Sequence, residues 1–193
     1  MSHYTCSSSN SRVQFFLDSL SKEDISSILS SSVEDLSNNE QKIEEGGLSK
    51  TTDPAHLAVF QTKTQVPMQD YLKCILRYAE IEKSTLILAF ILLDKANLRV
   101  SSMLNSSTSL KLFIGALICA IKYNQDKIFS NKVYAKICGV SLQTFNLIET
   151  RFLELINYSV HVKLETWTEY LEYLYKIKYT QEKVLSSNML LDL

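Results

Sequence analysis

The chain has 193 residues with a formal net charge of −1, and only four Gly and two Pro. Average usage of those two residues is about 12 %, and folds built from strands and tight turns need them. The scarcity excludes sandwiches, barrels and dinucleotide-binding sheets, and leaves long helices joined by a few polar loops. The near-neutral charge gives no global attraction to nucleic acid or to an anionic membrane. That charge is uneven: residues 1–60 carry four basic and nine acidic residues, whereas residues 61–193 carry sixteen and twelve.

The first segment, residues 1–20, is polar and Ser-rich and reads as a disordered head. Ser21, with Glu23 and Asp24 behind it, begins a leading helix. Its stripe of Ile25, Ile28, Leu29, Val33 and Leu36 has helical spacing. The polar run to residue 55 holds Gly46, Gly47 and Pro54 and reads as a flexible connector, so that residues 21–55 form one leading unit. A box of helices is expected over 56–163. Pro67 opens its first helix, which carries Tyr71, Leu72, Ile75 and Leu76 on one face. Ser84 is the expected N-cap of the second.

The third helix, Leu110–Tyr123, contains LFIGALICAI, which has no polar side chain on any face. A helix apolar all round, yet far shorter than the ~20 residues that span a bilayer, belongs in the middle of a globule. Gly115 within it allows a neighbour to approach closely. Asn131 is the expected N-cap of a fourth helix that Gly139 ends, and Ser141 caps a fifth. A further amphipathic helix covers Leu164–Tyr179, and a loosely held tail completes the unit 164–193.

No phosphate-binding glycine loop, zinc-protease motif, nucleophile elbow or calcium loop is present in the sequence. The three His are scattered, and the four Cys have no metal-ligand spacing. No catalytic residue, metal or cofactor is therefore expected. With no apolar signal core at residues 1–12, the expected location is intracellular, nuclear or cytoplasmic.

Two charges fall in apolar surroundings. Glu149 lies between Phe145 and Phe152 on the core-facing stripe of the fifth helix, and Lys122 closes the all-apolar third helix. A carboxylate on such a stripe is costly unless paired. Two outcomes are open: Lys122 caps its own helix while Glu149 reaches solvent, or the two pair at the edge of a partner-binding face. Asp94, closing LILAFILLD, is expected to tie the second helix to a neighbouring loop.

The stretch 122–170 resembles the PHO-type, or P/U-type, cyclins without a gap. The matching residues are Lys122, Asp126, Asn131, Tyr134-Ala135-Lys136, Gly139, Asn146, Glu149, Phe152-Leu153, Val162 and Tyr170. Phe60, Pro67 and Asp70-Tyr71-Leu72 match the family's first box helix, and the resemblance extends over about residues 20–178. The departures are Gln125 for an acid, Cys138 for a Gly, Leu110-Lys111 for His-Arg and Lys95 for Arg. The hydrophobic docking motif of the cell-cycle cyclins, Met-Arg-Ala-Ile-Leu, would fall just before Asp70, where this chain has Gln65-Val66-Pro67-Met68, so docking of Arg-x-Leu substrates is not expected.

The resemblance implies an all-α cyclin box, five helices around a central apolar one with a flanking helix at each end. It implies a non-catalytic activating subunit that forms a heterodimer with a cyclin-dependent-kinase-like Ser/Thr kinase. The kinase-binding residues it implies are Lys122, Glu149, Phe145, Phe152 and Asp126. Binding of nucleic acid, membrane or a small-molecule substrate is not expected. The competing expectations are a cyclin-box-like transcription adaptor on nucleic acid and a kinase-independent helical scaffold.

Overall fold

In the computed structural model, residues 6–40, 58–62, 66–99, 104, 105 and 107–189 are described, and their regular structure is entirely helical. The helices are α1 (Cys6–Ser19), α2 (Lys22–Glu40), α3 (Met68–Tyr78), α4 (Lys83–Arg99), α5 (Ser109–Asn124), α6 (Asn131–Ile137), α7 (Leu142–Leu155) and α8 (Leu164–Met189). None of them is long and apolar enough to cross a membrane.

The apolar run of the sequence becomes the centre of the molecule. Residues Leu112 to Ile121 of α5 are buried without interruption. The two neighbours packed most extensively on α5 are α4 and α7. The second of these comes so close that a Cβ on Gly115 would stand 2.7 Å from the Cβ of Phe152. α4 buries nine consecutive residues, Thr85–Leu93, because α5, α2 and α7 all pack on it. α3 has a narrower stripe, burying Met68, Leu72 and Ile75 against α2 and α6. Glu34 of α2 accepts a hydrogen bond from the Met68 amide at 3.0 Å, so one helix supplies the N-terminal cap of the next.

Local capping follows the sequence at several ends. Ser21 and Asp24 exchange reciprocal hydrogen bonds, the Asp24 amide donating to Ser21 Oγ at 3.0 Å and the Ser21 amide to Asp24 Oδ2 at 2.9 Å. Ser141 Oγ accepts from the Thr144 amide at 3.0 Å. Gly139 takes φ of +68°, the left-handed conformation that ends α6 at little cost.

Six expectations change. Residues 6–19 of the supposed disordered head form α1. Val13, Phe16, Leu17 and Leu20 recur at helical spacing among the serines, and Phe16 packs on Tyr175 of α8 at 5.3 Å. Lys83 donates to the carbonyls of Leu17 and Leu20 at 2.6 and 3.0 Å, and Lys178 to that of Ser19 at 3.0 Å. At the far end, α8 runs ten residues beyond Tyr179. α2 continues to Glu40, and the rest of the expected connector lies outside the described residues. Ser84 is not an N-cap. α4 begins one residue before it, and both Ser84 and Thr85 accept from the Asn124 side-chain amide at the end of α5. Asn131 is likewise the first residue of α6 rather than its cap, a position that Ser130 takes.

The link from α4 to a neighbouring loop is made by Lys95, not Asp94. Lys95 Nζ donates to the carbonyl of His161 at 2.6 Å and to that of Ser159 at 3.3 Å. Asp94 points elsewhere, and burial pushes its carboxyl up to about 6. The folded state therefore holds a proton that the unfolded chain has released, so stability falls as pH rises from about 4 through 6 and stays lower above that. Removing the charge should reverse the loss. Asp94→Asn is expected to stabilise the protein at pH 7.5, by at most about 3 kcal/mol for a shift of this size. The gain should vanish near pH 4. Thermal melts of both proteins across that range check it, and a gain independent of pH would refute the buried-charge account.

Candidate functional site

The end of α5, the start of α6 and the middle of α7 meet at one polar cluster. Lys122 stands in the last turn of α5, where the helix C-terminus favours a cation. Glu149 stands on α7, at the margin of the buried stripe Phe145, Ile148, Phe152 and Leu155. Lys122 Nζ donates to Glu149 Oε1 at 2.6 Å, and Asn131 Nδ2 donates to Glu149 Oε2 at 3.0 Å. Asn131 Nδ2 also donates to Asn146 Oδ1 at 2.8 Å, one helical turn before the glutamate. Of the two readings left open by the sequence, the pairing of Lys122 with Glu149 is the one the fold adopts.

The pair is asymmetric in exposure. The Lys122 side chain is 35 % exposed and that of Glu149 only 16 %. Each carboxylate oxygen has one donor, so the sunken charge is compensated within the molecule. Among the described residues, the other two ammonium protons of Lys122 and the Oδ1 of Asn131 meet no acceptor or donor. They are hydrogen-bonding capacity held at a fixed place on the surface. Beneath the pair lies the Cys119 thiol, pushed up to about 12 by burial and by the nearby Glu149 charge, with Lys122 acting in the opposite sense. At neutral pH it stays in the thiol form.

The remaining expected site residues divide by depth. Phe145 and Phe152 are 1 % and 0 % exposed, so they form the floor on which Glu149 rests. Asp126 is exposed on the segment between α5 and α6. Asn131 and Asn146 belong to the cluster, although the expected set omitted them. The three-residue step from Asn146 to Glu149 was the available signal, since it puts both on one helix face.

Around the cluster the same elements leave large apolar side chains in solvent. Tyr123, Ile128, Phe129, Val133, Leu142 and Leu147 are all exposed. Their segment is held in place: the Tyr134 hydroxyl accepts from the Phe129 amide at 3.2 Å and the two rings pack at 5.7 Å. Gln125 Nε2 donates to the Glu80 carbonyl at 3.2 Å. A fixed face combining exposed apolar groups with unsatisfied polar ones has the make-up of an interaction surface. Among the described residues no group of three or more His, Cys, Asp or Glu could hold a metal.

A helical bundle wrapped around one wholly apolar helix, with a Lys–Glu–Asn cluster at its edge, has the plan of a cyclin box. A family model described as Cyclin matches residues 18–160, and the chain belongs to the cyclin family. Cyclins of the U and P types and a PHO85 cyclin are among the proteins it is similar to. It is 30 % identical to Cyclin-U4-1 of Arabidopsis thaliana over 128 residues, 65 % of this chain and 63 % of that protein. It is 28 % identical to Cyclin-P4-1 of Oryza sativa subsp. japonica over 121 residues, covering 61 % and 57 %. A shorter stretch of 65 residues is 40 % identical to PHO85 cyclin-7 of Saccharomyces cerevisiae, covering 34 % and 22 %. The chain thus spans less than two thirds of the length of these relatives.

Proposed function

We propose that this cyclin is the non-catalytic activating subunit of a Ser/Thr kinase of the cyclin-dependent type, and that it binds the kinase through the face formed by α5, α6 and α7. The observation that carries the proposal is the Lys122–Glu149–Asn131 cluster, prebuilt and incompletely satisfied, in a field of exposed apolar side chains. Phosphoryl transfer in protein kinases requires a Lys–Glu ion pair that depends on the placement of the kinase C-helix. A rigid surface that binds the placed arrangement better than the displaced one shifts the population towards it. In this scheme Lys122 donates to backbone carbonyls beside that helix, while the exposed apolar residues pack against the helix itself.

The test is reconstitution. The full chain is mixed with each cyclin-dependent kinase of its own organism, purified singly, and binding and peptide phosphorylation are measured. One kinase is expected to form a 1:1 complex with activity raised roughly 5–150-fold, the range that coupling energies of about 1–3 kcal/mol allow. Binding to none of them, or binding without activation, would overturn the proposal. A gel shift against duplex DNA and RNA at moderate salt serves as the opposing arm, and tight binding there would favour an adaptor role instead.

A further inference from the structure

Away from the α5–α7 face, α2, α4 and α8 enclose a groove of about 490 Å³, within the size range of sites for small ligands and side chains. Its apolar part includes Val33 of α2 and Phe90 of α4, and Tyr170 and Tyr173 of α8 also line it. Tyr173 is half exposed, so the groove is open to solvent along α8. Its charge is one-sided. Asp94 enters from α4 and Glu169 from α8, and among the described residues no basic side chain lines it. Asp94 is partly buried, and among the described residues no hydrogen bond or ion pair reaches its carboxylate. A carboxylate left so is costly unless something completes it.

We infer that this groove binds the arginine side chain of a segment of a partner polypeptide, with Asp94 and Glu169 receiving the guanidinium between Tyr170 and Tyr173. A cation is called for by the two carboxylates and the lack of a basic group among the described residues that line the groove. Arginine fits better than lysine because its planar, weakly hydrated guanidinium stacks on aromatic rings and bonds carboxylates in a fork, whereas an ammonium ion is strongly hydrated. A metal ion is disfavoured, since no set of three suitable ligands is present among the described residues. None of α2, α4 and α8 carries Lys122, Glu149 or Asn131, so this site stands or falls independently of the kinase-binding face.

The experiment is a two-dimensional amide NMR titration of the isotope-labelled full chain. The probes are the blocked tripeptides Ala-Arg-Ala, Ala-citrulline-Ala and Ala-Lys-Ala. The arginine peptide is expected to give saturable shifts centred on Val33, Phe90 and Tyr170. Citrulline, with the same shape and no charge, should give none, and lysine should bind more weakly. Asp94→Asn and Glu169→Gln should each weaken the arginine peptide about ten-fold, the loss of one charge-assisted hydrogen bond. Glu169 is exposed, so its variant tests the groove without the change in stability expected of Asp94→Asn. Equal binding of citrulline or lysine, shifts centred elsewhere, no shifts, or wild-type affinity in Glu169→Gln would each overturn the assignment.

Discussion

Glu149→Ala is expected to weaken kinase binding by about 2–5 kcal/mol while leaving the fold intact. In the complex the pair loses its remaining exposure to water. Removing the carboxylate then leaves the Lys122 ammonium and the Asn131 amide buried without their acceptor. Lys122→Ala should cost a similar amount for the complementary reason, because Glu149 would be an uncompensated charge in the interface. The isolated protein behaves differently. With Lys122 35 % exposed, solvent screens the pair, and either change should lower its stability by only about 1 kcal/mol or less. That contrast separates a binding role from a structural one. The double variant should lose less than the sum of the two single losses, since both remove the same interaction. Calorimetric titration of the kinase with the four proteins, alongside their thermal melts, provides the measurement. If both single variants bind with wild-type affinity, the site lies elsewhere.

How much of this was legible in the sequence depends on the range of the interaction involved. Features written in neighbouring residues came through. Six Gly and Pro in 193 residues implied helices, the unbroken apolar run of α5 implied the centre, and Ser141 and Gly139 marked helix ends where the structure has them. Features that rest on distant partners did not. α1 was hidden by its serines because the carbonyls at its end accept from Lys83 and Lys178, more than sixty residues away. Asn131 resembled an N-cap because nothing local reveals that its amide is committed to α7. Asp94 and Lys95 are adjacent, so spacing could not say which of them reached the 159–161 loop. Lys122 and Glu149 are an intermediate case. Each was visible as a charge in apolar surroundings and their pairing across 27 residues was one of two open readings, but only the family pattern favoured it.

The contact between α5 and α7 sets both the stability of the core and the geometry of the site, and Gly115 is the residue that permits it. A Cβ there would stand 2.7, 2.8 and 2.9 Å from the Cβ, Cγ and Cδ2 of Phe152, closer than such atoms pack. Phe152 is wholly buried and attached close to its backbone at the point of contact, so rotating its ring relieves little. Alanine is the better helix former by about 1 kcal/mol, which opposes the clash without cancelling it. Gly115→Ala is therefore expected to destabilise the protein by about 1–3 kcal/mol, the usual cost of overpacking. At this chain length each 1 kcal/mol corresponds to about 2–4 °C in the unfolding midpoint. The strain should also reach the surface. Lys122 lies two turns after Gly115 on α5, and Glu149 lies one turn before Phe152 on α7. Pushing the helices apart lengthens the 2.6 Å pair, so kinase affinity should fall although no contact residue has changed. Phe152→Ala removes two of the three obstructing atoms, Cγ and Cδ2, and the Gly115→Ala/Phe152→Ala double variant should be more stable than the sum of the single losses allows. Urea unfolding of the four proteins tests this. A Gly115→Ala protein as stable as wild type, with unchanged kinase affinity, would show that α5 and α7 do not need the approach that glycine permits.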